Sequence, residues 1–526
     1  MYLIRNILIP VGAPRQVLEA AAKRTGIPVD AIDHWQVIRK SIDARKKSRV
    51  CFNYSVRIST TSQVKTDHDI QPWRPVEKPP LPANVCSSDH PFIIGCGPAG
   101  LFAALALVQQ GFQPWLFDRG EPIEVRTKKV QDFWQTGTLD EESNVQFGEG
   151  GAGAFSDGKL TARSRDFFAE KVYNHLVEFG ADPAILYEAL PHLGTDGLQS
   201  IVSSLRDYLI QAGCAFHWNA HLRHIRIEAG KITEVQINHD LYHPESVILA
   251  IGNSARDTFQ MLATEIEMEA KPFAVGVRIE HPQNFIDRSM YGSSTDLAIT
   301  GPATYRLTSR TSQGSVYSFC MCPGGKVIAG SSEKNTVVTN GMSYLARGGK
   351  WANSAIVTAI GPKEFGPGLF SGMQLQQKIE RAAFSPDHPY AAPIQKVGDF
   401  MKHTAGNMPK GATYRPKVYA RDIHEILPTT VNSALEQGLS YFDKRIPGFI
   451  SQGHIIAPET RTSSPVRILR NRETFHSLTA TNLFPIGEGA GYAGGIISSA
   501  ADGYKIGSSF CKPTQNQLPA SMLQNH

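Results

Sequence analysis

A chain of 526 residues, 41% hydrophobic and 19% charged, has room for two to four domains and a large core, which excludes a disordered or fibrous protein. Seven scattered cysteines fit a reducing compartment better than a disulfide framework, and no run approaches the ~18 apolar residues of a membrane span, so a cytoplasmic protein is expected. The net charge of +5 is uneven: residues 1–60 hold eleven Lys or Arg against four Asp or Glu, which confines any attraction for acidic partners to that segment.

Residues 2–9 are predicted as a strand, 15–25 as a helix, 34–46 as a second strand and 50–58 as an alternating third. Together they make 1–60 a small α+β module of ferredoxin-like type. Its Arg39, Lys40, Arg45, Lys46, Lys47 and Arg49 form a basic hairpin. Such a patch must be contiguous to bind nucleic acid, and a solvated strand edge guarded by charge explains it at least as well. Residues 61–90 turn Pro-rich and are predicted as an extended linker.

The stretch 92–120, FIIGCGPAGLFAALALVQQGFQPWLFDRG, carries four dinucleotide-binding signals in register. An apolar strand runs into Gly95-Cys96-Gly97-Pro98-Ala99-Gly100, an Ala/Leu-rich helix follows, and a second strand ends at Asp118 and Arg119. Gly95 permits the tight turn, Gly97 lets backbone approach a pyrophosphate, Gly100 lets the helix pack on the sheet, and the helix N-terminus offers N–H groups to an anion. Asp118 can accept from a ribose hydroxyl. A further Gly-rich stretch, NVQFGEGGAGAFSDGKLTAR (144–163), places Gly150, Gly151, Ala152, Gly153, Ser156, Asp157, Gly158 and Lys159 where backbone can lie flat against a ring. Lys159 is then a candidate to stabilise negative charge on a reduced flavin or to bind an anionic substrate.

Helices are predicted over 166–180 and 198–212, and short strands over 214–250 lead to Gly252 and Asn253, a second backbone crossing near the cofactor phosphates. Residues 91–260 are thus the first part of the nucleotide domain, and the strand- and turn-rich residues 261–460 an inserted α+β substrate or cap domain. Within it, Cys320 and Cys322 on an extended strand share a face with Cα atoms too far apart for an easy disulfide, which favours inert thiols over a thiol at the substrate. Arg278 and Arg461 are candidate clamps for a carboxylate or phosphate, although ordinary ion pairs explain such arginines equally well. Glu459 is a candidate for proton transfer if burial raises its pKa. The histidines show no metal-ligand spacing, and no metal is assigned.

Residues 461–515 return to the first fold, with 516–526 as a tail. The segment 483–507, LFPIGEGAGYAGGIISSAADGYKIG, is another strand, Gly-rich turn and helix. Gly487 and Glu488 suit the ribitol, and a helix opening at Gly494, Gly495 and Ile496 points its positive end at a flavin pyrimidine, which makes the cofactor FAD. Too little chain follows for a second nucleotide domain, so NAD(P)H is expected as a transient co-substrate.

Nine ordered motifs, KSIDARKK, GCGPAGLFAAL, NVQFGEGGAGAFSDGKL, GNSARDTF, KPFAVGVRIEH, YSFCMCPGG, NGMSYLAR, ETRTSSPVRI and GEGAGYAGGI, span nearly the whole chain. In these the chain resembles a bacterial family of FAD-dependent proteins often labelled NAD(FAD)-utilising dehydrogenases, within the glutathione-reductase-like flavoproteins. The family pattern has His where this chain has Asn253. The resemblance implies an α/β Rossmann-type FAD domain behind an N-terminal α+β module, and an oxidoreductase of unnamed substrate. The alternative from another class is a flavoprotein that binds or modifies RNA through residues 1–60.

Overall fold

The computed structural model describes residues 1–13, 16–81, 85–86, 90–161, 166–293 and 295–512. The expected tail at 516–526 lies outside them, as do Ala162 and Arg163 at the end of the glycine-rich stretch.

The chain opens with an antiparallel sheet of β1 (Tyr2–Pro10), β2 (His34–Asp43), β3 (Cys51–Ser59) and β4 (Ile70–Pro72), in the order β2-β3-β1-β4. Helix α1 (Val17–Thr25) buries Val17, Ala21 and Ala22 in the same core as Ile4, Ile7, Val56 and Ile58. Left-handed Gly26 (φ +72°) ends it, returning its N–H to the Ala22 carbonyl. A full ferredoxin-like module would carry a second helix between its last two strands, but residues 60–69 hold none.

Two expectations for this end of the chain need correction. The basic edge strand is not simply solvated: the Lys40 N–H donates to the Tyr187 carbonyl (2.7 Å) and its carbonyl accepts from the Ala189 N–H (2.8 Å). Ile42 and Ala44 continue this docking by packing on the core of a larger sheet. Nor is 61–90 only a linker, since it supplies β4 and then Val85–Cys86, which runs parallel to Phe510–Cys511.

From residue 92 a five-stranded parallel sheet forms in the order Leu483–Pro485, Val247–Leu249, Phe92–Ile94, Trp115–Phe117, Ala215–His217. The central strands are apolar on both faces, as a sheet covered on both sides requires. Chain order reverses at Phe92–Ile94, which opens a crevice at the carboxyl ends of the strands. Helix Pro98–Gln109 is buried from Ala99 to Leu107 on every side. Helix Ile496–Gly507 meets it at backbone contact: a Cβ on Gly503 would stand 2.0 Å from the Ala99 carbonyl oxygen, and one on Gly507 2.5 Å from that of Ala103.

Between Val247–Leu249 and Leu483–Pro485 the chain builds a seven-stranded sheet. Its order is Thr308–Thr311, Gly314–Cys322, Trp351–Ile360, Phe273–Pro282, His454–Glu459, Ala392–Lys396, Val418–Ala420, with only the last pair parallel. Helix Thr429–Arg445 places Leu435, Leu439 and Phe442 in one core with Val277, Ile279 and Ile356. A ribbon of Met268–Ala270 and Val466–Ile468 links the two sheets. Among the described residues no helix is long and apolar enough to cross a membrane.

Gly503→Ala drives a Cβ into the Ala99 carbonyl, and denaturant unfolding is expected to show a loss of about 2–3 kcal/mol. Gly494→Ala, whose Cβ would point into open space, is expected to lose well under half of that.

Candidate functional site

Five segments distant in sequence converge at the carboxyl ends of the parallel strands. Gly95 (φ +106°) makes the first turn, where a Cβ would strike the Ala250 carbonyl oxygen at 2.4 Å. A Cβ on Gly100 would lie 1.9 Å from the Gly95 carbonyl oxygen, so helix and turn can be this close only without it. Gly97 caps the helix with no side chain of its own, and Pro98 fills the first helical position. Gly151 and Gly153 lie against Gly97 and Pro98, Gly153 also against Ile496, and Gly487 against Ala99. Gly489 meets the backbone of Gly252.

Asp118 sets the first turn. It is buried, and its two carboxylate oxygens accept from the Cys96 N–H (2.7 Å) and the Gly120 N–H (2.9 Å), so the bonds seen here go to backbone. Arg119 faces Phe147 and pairs with Glu142 (2.7 Å) and Asp257 (2.9 Å). At the far end, Asn253 donates to Glu488 (2.8 Å), which joins the two later strand-turn segments and gives the Asn side chain a polar role. Burial pushes the Glu488 carboxyl up to about 7, against the Asn253 hydrogen bond and Lys271. The Gly487 N–H donates to Asp502, which Arg470 holds through two bonds of 2.9 and 2.7 Å.

These features fit an elongated dinucleotide with an anionic centre. The two helix N-termini at Pro98 and Ile496 carry no side-chain cap, and among the described residues nothing lies within 4 Å of the Cβ directions of Gly252, Gly494 and Gly495. The N-terminal amides and dipoles of both helices therefore remain available to a bound anion.

The glycine-rich loop is held by a residue the sequence reading passed over. Arg126 is fully buried, and its guanidinium donates to the carbonyls of Asn144 (2.8 Å), Val145 (2.9 Å), Gly148 (3.2 Å) and Glu149. Burial lowers its pKa to about 10, and Asp118 and Glu149 oppose the shift, so it stays charged. The signal was present in the sequence: Ile123, Arg126, Val130 and Phe133 form one helical stripe, and a charge on an apolar stripe asks for an explanation. Glu149 accepts from the Ile123 N–H and from Arg206, both at 2.8 Å, while burial raises its carboxyl to about 7.

Downstream the loop passes into a charged cluster rather than onto open backbone. Ser156 tightens it by accepting from the Gly158 N–H (3.0 Å). Asp157 is buried, bonded by Ser343 and by Arg347 (2.6 Å), and lies 3.6 Å from Lys159. Burial would raise the Asp157 carboxyl, but Lys159 and Arg347 override it and hold the group below the usual range. Lys159 donates to the Met321 carbonyl, with Cys322 Sγ 3.9 Å away. The strand beneath is not straight: register slips between Phe319 and Cys322, and Cys320 adopts φ +45°. The expectation of a regular strand beneath the two thiols is corrected by this bulge.

Arg278 and Glu459 come together, each as the other's partner. The buried guanidinium donates to both carboxylate oxygens and to the Cys320 carbonyl (3.0 Å), with Asn353 at 3.3 Å and Asn340 at 3.4 Å. Burial raises the Glu459 carboxyl despite Arg278, and Thr339 donates to it (3.3 Å). Arg461 does clamp a carboxylate, but one belonging to the chain: Glu380 takes it at 3.0 Å together with Arg256 at 2.7 Å. The reading of Arg461 as a substrate clamp is therefore replaced by this internal role.

Arg126→Leu strips four buried carbonyls of their donor, and a loss on the order of 3 kcal/mol in denaturant unfolding is expected. Arg126→Lys is expected not to restore it, since one ammonium cannot span four acceptors. Glu488 titrates near 7 when folded and near 4.5 when unfolded, so its contribution is complete below pH 4.5 and fades as pH rises through 7. Flavin-free Glu488→Gln is expected to lose less stability between those pH values than the parent, in thermal melts across that range.

Residues 272–462 match the profile of the FAD-dependent protein C-terminal domain, and residues 1–59 match a domain of unknown function. An uncharacterized protein of Clostridium beijerinckii is 41% identical over 519 residues, covering 96% of this chain and 97% of its own. Among solved structures, the halogenase PltM is 11% identical over 79% of this chain and 66% of its own, at a TM-score of 0.35. CtdE in complex with FAD is 10% identical over 80% and 82%, at a TM-score of 0.29. The chain belongs to one family with the Clostridium beijerinckii protein, a family of FAD-dependent proteins, and FAD is its cofactor.

Proposed function

We propose that this protein is an FAD-dependent oxidoreductase that moves hydride between NAD(P)H and an organic acceptor. The observation that carries the reading is the charged cluster where the glycine-rich loop meets the Gly314–Cys322 strand: Lys159, Asp157, Arg347, Arg278 and Glu459 gathered beside Cys320 and Cys322. Bound flavin exchanges hydride with organic partners at N5.

The chain's own residues supply binding and electrostatics. The N-termini at Pro98 and Ile496 favour negative charge on what they hold, and the Gly97, Gly151 and Gly153 backbone admits it closely. Lys159 is a fixed cation: burial opposes its charge, but Cys322, Cys320 and Asp157 more than offset that and raise its pKa. Being already ordered by the Met321 carbonyl, it needs little reorganisation to stabilise charge developing beside it. Residues 261–460, as a cap domain, supply the opposite wall, and a nicotinamide and the acceptor would occupy the same face in turn.

The test is anaerobic rapid mixing of the FAD-loaded protein with NADH and separately with NADPH, following the oxidised-flavin band. Fast bleaching by one of them is expected, and Lys159→Met is expected to slow it about 100-fold with FAD retained. Slow bleaching by both would remove nicotinamide from the reading.

A further inference from the structure

The bulge at Cys320 is fixed in an unusual way. At the slip three consecutive carbonyls are each met by a different side chain: Ser354 donates to Phe319 (3.2 Å), Arg278 to Cys320 (3.0 Å) and Lys159 to Met321. Three donors from three elements hold a non-glycine residue at positive φ, a conformation that persists only where its surroundings impose it.

The consequence is for the two thiols. Cys322 Sγ lies 3.2 Å from the Cys320 carbonyl oxygen, so its sulfur turns back toward the residue that bears the other thiol. Cys322 is fully buried, while Cys320 is partly exposed and next to exposed Phe319. Lys159 and Arg278 bring two cations to the pair. The hydrogen bond from Cys322 pulls the Cys320 thiol well below the ordinary range; burial opposes this, and Lys159 and Arg278 reinforce it. Cys322 is driven the other way by its hydrogen bond to Cys320 and by burial. A partly exposed cysteine of lowered pKa beside a fully buried one has the order of an attacking and a resolving cysteine.

We propose that Cys320 and Cys322 form a reactive dithiol that exchanges with small organic disulfides, Cys320 attacking and Cys322 resolving. The Cys320 thiolate attacks one sulfur of the disulfide; its S–S bond breaks, a mixed disulfide forms on Cys320, and the other half leaves as thiolate and takes a proton. Cys322 loses its proton and attacks the Cys320 sulfur, which expels the second half as thiol and leaves a Cys320–Cys322 bond. The protein dithiol is oxidised by two electrons, and the organic disulfide is reduced to two thiols. This chemistry does not rest on the hydride-transfer reading, and its test reads sulfur rather than turnover.

The experiment equilibrates the full-length, FAD-loaded protein anaerobically with mixtures of reduced and oxidised glutathione, quenches with acid, alkylates, and weighs the peptide holding both cysteines. The wild-type peptide is expected to become lighter by two hydrogens and to resist alkylation at both positions as the mixture becomes oxidising. Cys322→Ser is expected to trap glutathione on Cys320, whereas Cys320→Ser takes none on buried Cys322. Lys159→Met is expected to slow adduct formation about 10-fold. Full alkylation of both cysteines in the wild-type protein at the most oxidising mixture would overturn the proposal without need of any variant, as would an adduct on Cys322 in Cys320→Ser.

Discussion

Backbone contact between helices Pro98–Gln109 and Ile496–Gly507 is the constraint on which the cradle depends. Ala99 and Ala103 present carbonyls, Gly503 and Gly507 present bare Cα atoms, and no side chain separates the axes where they touch. Both helices begin at the crevice, so locking them together fixes two positive ends at one spacing. The glycine turns of the cradle are then placed against this pair: Gly151 and Gly153 on the first helix start, Ile496 beside Gly153, and Gly487 on Ala99.

Buried charge performs the second fastening. Arg126 ties the glycine-rich loop to its helix through carbonyls alone, whereas Glu380 draws Arg256 and Arg461 from opposite sides of the linking ribbon. Arg278 and Glu459 join adjacent strands of the larger sheet beneath the bulge. Desolvating such groups offsets much of their mutual attraction, so the pairs are poor evidence for stability. Their value here is positional, because each fixes where a particular turn or strand end sits.

The turn at 95–100, the late Gly-Glu turn and the helices at Val17–Thr25, Pro98–Gln109, Phe167–Glu178, Gly194–Gln211 and Ile496–Gly507 were legible because their signals are local: spacing, glycine and the period of apolar residues. The reading was poorest where partners lie far apart in sequence. Nothing near Asp157 announces Ser343 or Arg347, and nothing near Arg461 announces Glu380. Arg126 was visible in principle as a charge on an apolar stripe, but a lone charge does not say which carbonyls it will meet. The Cys320 bulge was invisible for a third reason: strand propensity reports the ladder, whereas the irregularity is imposed by Ser354, Arg278 and Lys159 from outside the segment.

The parallel sheet also sets an order of events. Its middle strand, Phe92–Ile94, emerges early, yet one edge strand, Leu483–Pro485, and the helix after it follow the whole seven-stranded sheet in the chain. Until then Val247–Leu249, paired with Phe92–Ile94 on one side, is an open apolar edge on the other, the kind of surface that recruits other chains during synthesis. The cradle lacks one of its two helix starts for the same interval. A cradle that needs both helix starts is complete only once Leu483–Pro485 has joined the parallel sheet and the helix after it has packed on Pro98–Gln109.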